Sequence, residues 1–341
     1  MSRKNLNVLK KSLKFSKKIT DKKILKIFQN FELSLDLKEK FLVAVSGGPD
    51  SMALAYLSKI YSQKKKLRVK YFIVDHKLRD NSTKEAEIVK KLLKKHQIKL
   101  EILTWKSKKP SSNIQSLARN ARYELLFKKC KKLGIKNILL GHHLDDLLEN
   151  FIIRMTRGSG LRGLASFGKK VENNKINIFR PLIRLEKKDL IYISKKIFKS
   201  YITDPSNSND IFKRTKIRNL LMNLEKEGLN KKKFLSTIYN LKTSDDTIKF
   251  FVNDNLKKNT FYSEIKKTIT LNSDFFDKPS EIIFRSLSEC IRMIGEKYYY
   301  VRGKKLDYII HSLKEKSQFK ATLGRCILKK VNQTVVISRE N

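Results

Sequence analysis

Cysteine is nearly absent. The three in 341 residues, Cys130, Cys290 and Cys326, make no C-x-x-C pair and no metal-ligand spacing. That excludes a disulfide framework and a cysteine-held metal centre, and leaves ordinary thiols of a reducing, cytoplasmic compartment. No apolar stretch approaches the roughly 20 residues needed to cross a bilayer. Acid is scarce as well, with 33 Asp and Glu against 77 Lys and Arg, a formal charge of +44. An enzyme serving only a small anion has no use for such a field. A polyanionic partner does, and nucleic acid is the default. Lysine excess also follows from genome composition, so the charge supports RNA binding without proving it. No basic amphipathic helix stands apart from the folded pattern, which argues against a membrane surface. The first 23 residues are basic and nearly free of acid. They read as an N-terminal arm, with a transit peptide as the competing reading.

Glycine numbers only 12, yet two are adjacent in Ser46-Gly47-Gly48-Pro49-Asp50-Ser51, directly after the apolar run Phe41-Leu42-Val43-Ala44-Val45. The run reads as a buried strand. Residues 49–63 read as a helix, with Met52, Leu54, Ala55, Leu57 and Ile60 at helical spacing. A glycine turn between strand and helix is a phosphate site, because free N–H groups and the helix dipole face the anion. Pro49 suits the first helical turn. No lysine follows the glycines to hold a terminal phosphate, so this is not the Lys-containing nucleotide loop. Nor is it the dinucleotide fingerprint.

Further strands are expected at 69–74, 100–105 and 137–140. Helices are expected at 82–96, 113–133 and 187–198, the first opened by a capping box of Ser82 and Glu85. Thr20-Asp21 caps a helix ahead of the first strand. Strands alternating with helices imply an α/β fold, a parallel sheet with helices on both faces. Three strands end in polar clusters, Ser46-Gly47-Gly48, Asp75-His76 and His142-His143. Ligands bind at such strand ends, so one site is expected there. Residues 158–168 hold four of the glycines and read as a loop, and 204–207 as a turn. The assigned segments are an arm at 1–23, a catalytic domain at 24–222, a helical linker at 223–258 and a small α+β domain at 259–341. The last contains a strand at 267–271, helices at 279–294 and 303–313, and a hairpin of 320–331 with 334–338.

The second constellation begins at His142 and is expected to open a helix. His142, Asp146 and Glu149 then fall at i, i+4 and i+7, on one face. A zinc site lacks a third His or Cys. Carboxylates beside a phosphate loop suit Mg²⁺ shared with phosphate oxygens, or a cationic substrate. The plain alternative is a helix start with acids favoured by the dipole.

The loop resembles the PP-loop of enzymes that split ATP between its α- and β-phosphates. Over residues 41–220 the chain resembles the tRNA(Ile)-lysidine synthase family. The pieces that match in order are 46–51, Asp75-His76-Lys77-Leu78-Arg79, Asn113-Ile114-Gln115 with Ala118-Arg119 and Arg122-Tyr123, and His142-His143 with Asp146 and Glu149. Arg157-Gly158-Ser159-Gly160-Leu161, Arg180-Pro181-Leu182, Asp204-Pro205-Ser206-Asn207, and Arg214 with Ile217-Arg218 complete the set. Leu147, Asn150 and Thr215 depart from the usual pattern. The resemblance implies a PP-loop fold of the adenine nucleotide alpha-hydrolase type and an ATP-dependent ligase forming C–N bonds. It would adenylate the wobble cytidine of a CAU-anticodon tRNA(Ile) and then join free L-lysine to it. ATP and Mg²⁺ are the implied cofactors, and a homodimer is the implied assembly. Ser46, Gly47, Gly48, Pro49, Asp50, Ser51, Asp75 and His76 would bind ATP, Asp50 through Mg²⁺. His142, Asp146, Glu149, Arg214 and Arg218 would serve lysine and catalysis, with the general base unassigned. Arg119, Arg122 and Arg157 would contact tRNA. The alternatives are another PP-loop tRNA-modifying enzyme, such as a thiolase, and a non-catalytic RNA-binding protein.

Overall fold

The computed structural model describes residues 19–79, 81–106, 114–166, 170–173, 176–203, 213–296, 300–301 and 303–340. The chain divides into two compact units, residues 1–236 and 237–341.

In the first unit, Asp21 caps α1 (Lys22–Leu33) by accepting the Ile24 amide at 3.0 Å. There follow β1 (Phe41–Val45), α2 (Pro49–Lys65), β2 (Val69–Asp75), α3 (Ser82–Lys95), β3 (Leu100–Thr104), α4 (Ile114–Leu133) and β4 (Asn137–Leu139). Then come α5 (Leu144–Met155), α6 (Leu161–Leu164), β5 (Lys170–Asn173), β6 (Ile176–Phe179), α7 (Lys187–Phe198) and α8 (Lys213–Lys226). The helix α9 (Lys231–Asn259) carries the division between the units.

The sheet order is β3-β2-β1-β4-β6-β5, parallel except for the β5–β6 pair. Strand pleating sends alternate residues to opposite faces. Phe41, Val43, Val45, Tyr71 and Ile73 pack with α1, α2, α3 and α7. Leu42, Phe72, Ile138 and Ile178 pack on the other face with Leu126 and Cys130 of α4. The expected two-sided sheet is present. The chain runs outward from β1 to β3, then returns to the other side of β1 with β4. The switch point therefore lies between β1 and β4, which is where such folds bind ligands.

Several local expectations are corrected. Strands β5 and β6 stand where no strand was expected, and α6 forms within the glycine-rich stretch. The α3 N-cap is Asn81, and Ser82 forms no capping box: its hydroxyl donates to Asp75 Oδ1 at 2.8 Å. The helix expected at His142 begins at Leu144, with His143 as its extended N-cap (φ −123°, ψ −173°). Asn113 and the 204–207 turn lie outside the described residues.

The second unit contains β7 (Thr260–Ser263), β8 (Thr268–Leu271), α10 (Ser280–Ile294), α11 (Gly303–Glu315), β9 (Gln318–Leu323), β10 (Cys326–Val331) and β11 (Thr334–Arg339). Its sheet is antiparallel, in the order β7-β8-β11-β10-β9. Residues 320–331, expected as one arm of a hairpin, are two strands. Gly324 and Arg325 turn between them at φ +70° and +65°, the paired left-handed geometry of a tight hairpin. Apolar residues of α10 and α11 pack on this sheet. All three cysteines are buried and free. No described helix is long and apolar enough to cross a membrane.

Candidate active site

The loop after β1 delivers the chain to the N-terminus of α2 with no side chain capping it. Gly47 adopts φ +88°, and a Cβ there would meet Val89 Cγ2 at 2.8 Å, so both backbone and space require glycine. Ser51 organises the turn. Its Oγ accepts from the amides of Ser46 (3.0 Å) and Gly47 (3.1 Å) and donates to the Gly48 carbonyl (3.0 Å). A hydroxyl thus occupies amides of the kind that cradle phosphate. The end of β4 comes close: a Cβ on Gly141 would lie 3.3 Å from the Ser51 backbone.

The N-terminus of α5 faces this loop. His143 is 4% exposed. Its Nε2 lies 3.5 Å from Asp50 Oδ2 and 3.5 Å from Asp146 Oδ2, and its Nδ1 lies 3.3 Å from Asp145 Oδ2. The His143 amide donates to Asp146 Oδ2 at 3.0 Å. Burial alone would lower the imidazole pKa, but contacts with Asp145 and Asp50 and the Asp146 charge prevail and push it up to about 10. Burial likewise opposes the Asp145 charge, yet His143, Lys231 and the Lys187 amide hold its carboxyl well below the usual range.

The stability supplied by His143 is therefore complete below pH 6.5 and lost as pH rises toward 10. In metal-free buffer, the melting-temperature advantage of the wild type over His143→Gln is expected to shrink across that window. Calorimetry at both ends checks this, and an advantage that grows with pH contradicts it.

Glu149 lies one turn along α5 and is almost fully buried. Its Oε1 accepts from Arg218 Nε of α8 at 2.8 Å. Its Oε2 has no hydrogen-bond partner among the described residues, and the same is true of Asp50 Oδ1. Asp50 Oδ1 is a hard oxygen donor beside a phosphate turn, which suits Mg²⁺ held jointly with phosphate oxygens. No cluster of three or more metal-binding side chains exists among the described residues.

The other expected residues fall around this centre. Asp75 is buried, and both its oxygens are engaged at the start of α3, by Ser82 (2.8 Å), Thr83 (2.6 Å) and the Lys77 amide (3.0 Å). His76 accepts from Arg122 Nε at 3.4 Å and meets Trp105 edge-to-face. Burial, then Arg122, pushes its pKa down to about 4, so it is neutral. Arg119 donates to Tyr123 Oη at 3.2 Å and lies over its ring. Arg157 and Arg214 are exposed.

His142 precedes α5 and does not share a helical face with Asp146 and Glu149, which corrects the expected i, i+4, i+7 arrangement. Burial, with the charges of Arg180, Arg119 and Arg214, holds it well below the ordinary histidine range. His143, Asp145, Lys231 and the buried Arg180 were not among the expected site residues. For His143, the available signal was its position just ahead of the acid-rich helix start and four residues after a short strand.

A parallel sheet whose switch point holds an uncapped glycine turn, closed by carboxylates from the next strand end, defines a PP-loop enzyme. The family model described as PP-loop domain matches residues 16–225. The chain is 34% identical over 324 residues to the tRNA(Ile)-lysidine synthase of Wolbachia pipientis wMel, covering 92% of this chain and 74% of that protein. It is 34% identical over 312 residues to that of Orientia tsutsugamushi, covering 88% and 70%. With that of Rhodopseudomonas palustris it shares 38% identity over 189 residues, 55% of each chain. The chain belongs to the tRNA(Ile)-lysidine synthase family, and so is an ATP-dependent ligase. In fold alone it also resembles the U34-tRNA thiolase NcsA from Methanococcus maripaludis with its [4Fe-4S] cluster (TM-score 0.55, 18% identity, 66% of this chain and 78% of that chain).

Proposed function

We propose that the protein adenylates the 2-carbonyl oxygen of the wobble cytidine in a CAU-anticodon tRNA(Ile), and that free lysine then displaces AMP to form lysidine. In the first step the cytidine O2 attacks the α-phosphorus and the bond to the β-phosphate oxygen breaks, releasing pyrophosphate. In the second, the lysine ε-amine adds to C2, the C2–O2 bond breaks, and AMP departs with that oxygen while the amine proton goes to a base.

The observation that carries the site reading is the pair of shielded, unpartnered carboxylate oxygens. Asp50 Oδ1 stands at the phosphate turn, and Glu149 Oε2 on the helix that faces it. Asp50 would hold magnesium, which neutralises developing phosphate charge when bound. The backbone of 46–51 would cradle the phosphates. Asp75 and His76 border the adenine region, Asp75 by fixing the chain there. Asp146 and Glu149 receive the ammonium groups of lysine and align its ε-amine, a positioning effect. Arg218 orients Glu149 through the 2.8 Å contact to its Oε1. His142, neutral, and Arg214 lie toward the attacked base. Arg119, Arg122 and Arg157 meet the anticodon stem-loop, and the Lys-rich second unit grips the tRNA body through phosphates. The reaction is assigned to the cytoplasm and to a homodimer.

Burial pushes the Cys130 thiol up to about 11 and that of Cys290 to about 12, which argues against sulfur transfer. The test is a nucleotide assay. Pyrophosphate release is expected to require a CAU-anticodon tRNA, and AMP release to require lysine as well. AMP formation that ignores lysine and follows a sulfur donor overturns the reading. Tight tRNA binding without turnover does so in favour of a non-catalytic protein.

A further inference from the structure

Asp145, unlike Asp50 and Glu149, has both carboxylate oxygens engaged. Its Oδ1 lies 2.7 Å from Lys231 Nζ, and its Oδ2 accepts from the Lys187 amide at 3.0 Å. Lys231 is itself held by Glu225 at 2.9 Å. The same Oδ2 lies 3.3 Å from His143 Nδ1, at ion-pair distance but outside hydrogen-bond geometry, and the opposite nitrogen of that ring stands 3.5 Å from both Asp50 and Asp146. The N-termini of α7 and α9 thus converge on Asp145, and Asp145, Asp146 and the phosphate turn on one imidazole. The orientation of an imidazole is set by the partner of its far nitrogen, and a carboxylate behind a histidine is the recurrent device for fixing it.

We propose that Asp145 is a positioning residue. Clamped by Lys231 and the Lys187 amide, it fixes His143 so that Nε2 holds Asp50 and Asp146 in one constellation. The nucleotide loop and the amine-binding carboxylate are thereby set together, and both half-reactions depend on the clamp. This rests on the lysine-ligating reading above. A competing role for Asp145 is an acid in the first turn of α5 that only favours the helix dipole.

The experiment uses the full chain and the variants Asp145→Asn, Lys231→Met and Lys231→Arg. Asp145→Asn keeps size and helix position. It is expected to lower kcat for both pyrophosphate and AMP release about 10- to 100-fold, the usual cost of losing an orienting partner, and to leave tRNA affinity within about twofold. Lys231→Met is expected to lower kcat in the same direction and Lys231→Arg to restore it. Asp145→Asn combined with Lys231→Met is expected to be no worse than Asp145→Asn alone, because both break one chain of contacts. A variant Asp145→Asn that loses thermal stability while kcat is kept overturns the proposal, as do losses that multiply. Proton NMR separates this from the function reading. The wild type should show a downfield His143 Nδ1–H, assigned by its loss in His143→Gln and absent in Asp145→Asn. Absence of that signal in the wild type overturns the clamp whatever the activity. A wild type that shows the signal but no lysine-dependent AMP release overturns the function reading alone.

Discussion

Replacing Asp50 with alanine abolishes adenylation, lowering pyrophosphate release by about a thousandfold, while tRNA affinity stays within about twofold of the wild type. The magnitude is that of removing one preorganised electrostatic group from a phosphoryl centre. The selectivity follows from where Asp50 sits. It occupies the first turn of α2, one oxygen 3.5 Å from His143 and the other without a partner among the described residues. His143 keeps Asp145 and Asp146 as counter-charges, so the site does not collapse. The Lys-rich surface proposed to meet RNA phosphates is untouched. Single-turnover pyrophosphate release and a tRNA-binding titration check the two halves. A parallel loss of tRNA binding would place Asp50 in the RNA interface.

Replacing Arg218 with alanine has a large expected effect on both stability and lysine transfer. Glu149 is 3% exposed on its side chain, and among the described residues its Oε1 accepts from the Arg218 guanidinium at 2.8 Å. Breaking a fully buried pair by removing one partner costs about 3–5 kcal/mol, because the remaining charge is uncompensated. Arg218 is itself 31% exposed, and water entering the gap reduces the cost to roughly 2–3 kcal/mol. That corresponds to a fall of about 5 °C in melting temperature. Lysine-dependent AMP release falls with it, since Glu149 loses its orientation. Combining Arg218→Met with Glu149→Gln is expected to recover the stability and not the activity. Calorimetry together with the AMP assay checks this, and recovery of both would remove Glu149 from lysine binding.

The phosphate turn and the first four strands were legible because their signals are local. A buried apolar run, a scarce glycine pair and a proline at the first helical position all sit within ten residues. Asp21 as a cap and the helix at 187–198 were legible for the same reason. What was not legible depends on partners distant in sequence. Strand β6 is four residues long, and its place is set by pairing with β4, which no periodicity in Ile176-Asn177-Ile178-Phe179 announces. Ser82 looks like a capping residue because Glu85 follows it. Its hydroxyl instead satisfies Asp75, a buried carboxylate seven residues earlier. The helix of the site starts two residues later than the sequence suggests. Acids at 145, 146 and 149 are compatible with a helix from His142, but the chain is extended through His143. That single shift takes His142 off the face of Asp146 and brings His143 between Asp50 and Asp146. The turn at Gly324-Arg325 was missed because an arginine adopts the left-handed conformation there.

The most direct test of the central claim follows the oxygen and the amine. A CAU-anticodon tRNA carrying heavy oxygen at the wobble cytidine O2 is incubated with ATP, isotopically labelled lysine and the protein. The nucleosides and AMP are then analysed by mass spectrometry. The wobble cytidine is expected to gain lysine less one water, retain the lysine label, and pass its heavy oxygen to AMP. Heavy oxygen that stays on the cytidine, or lysine label found elsewhere on the tRNA, contradicts that claim.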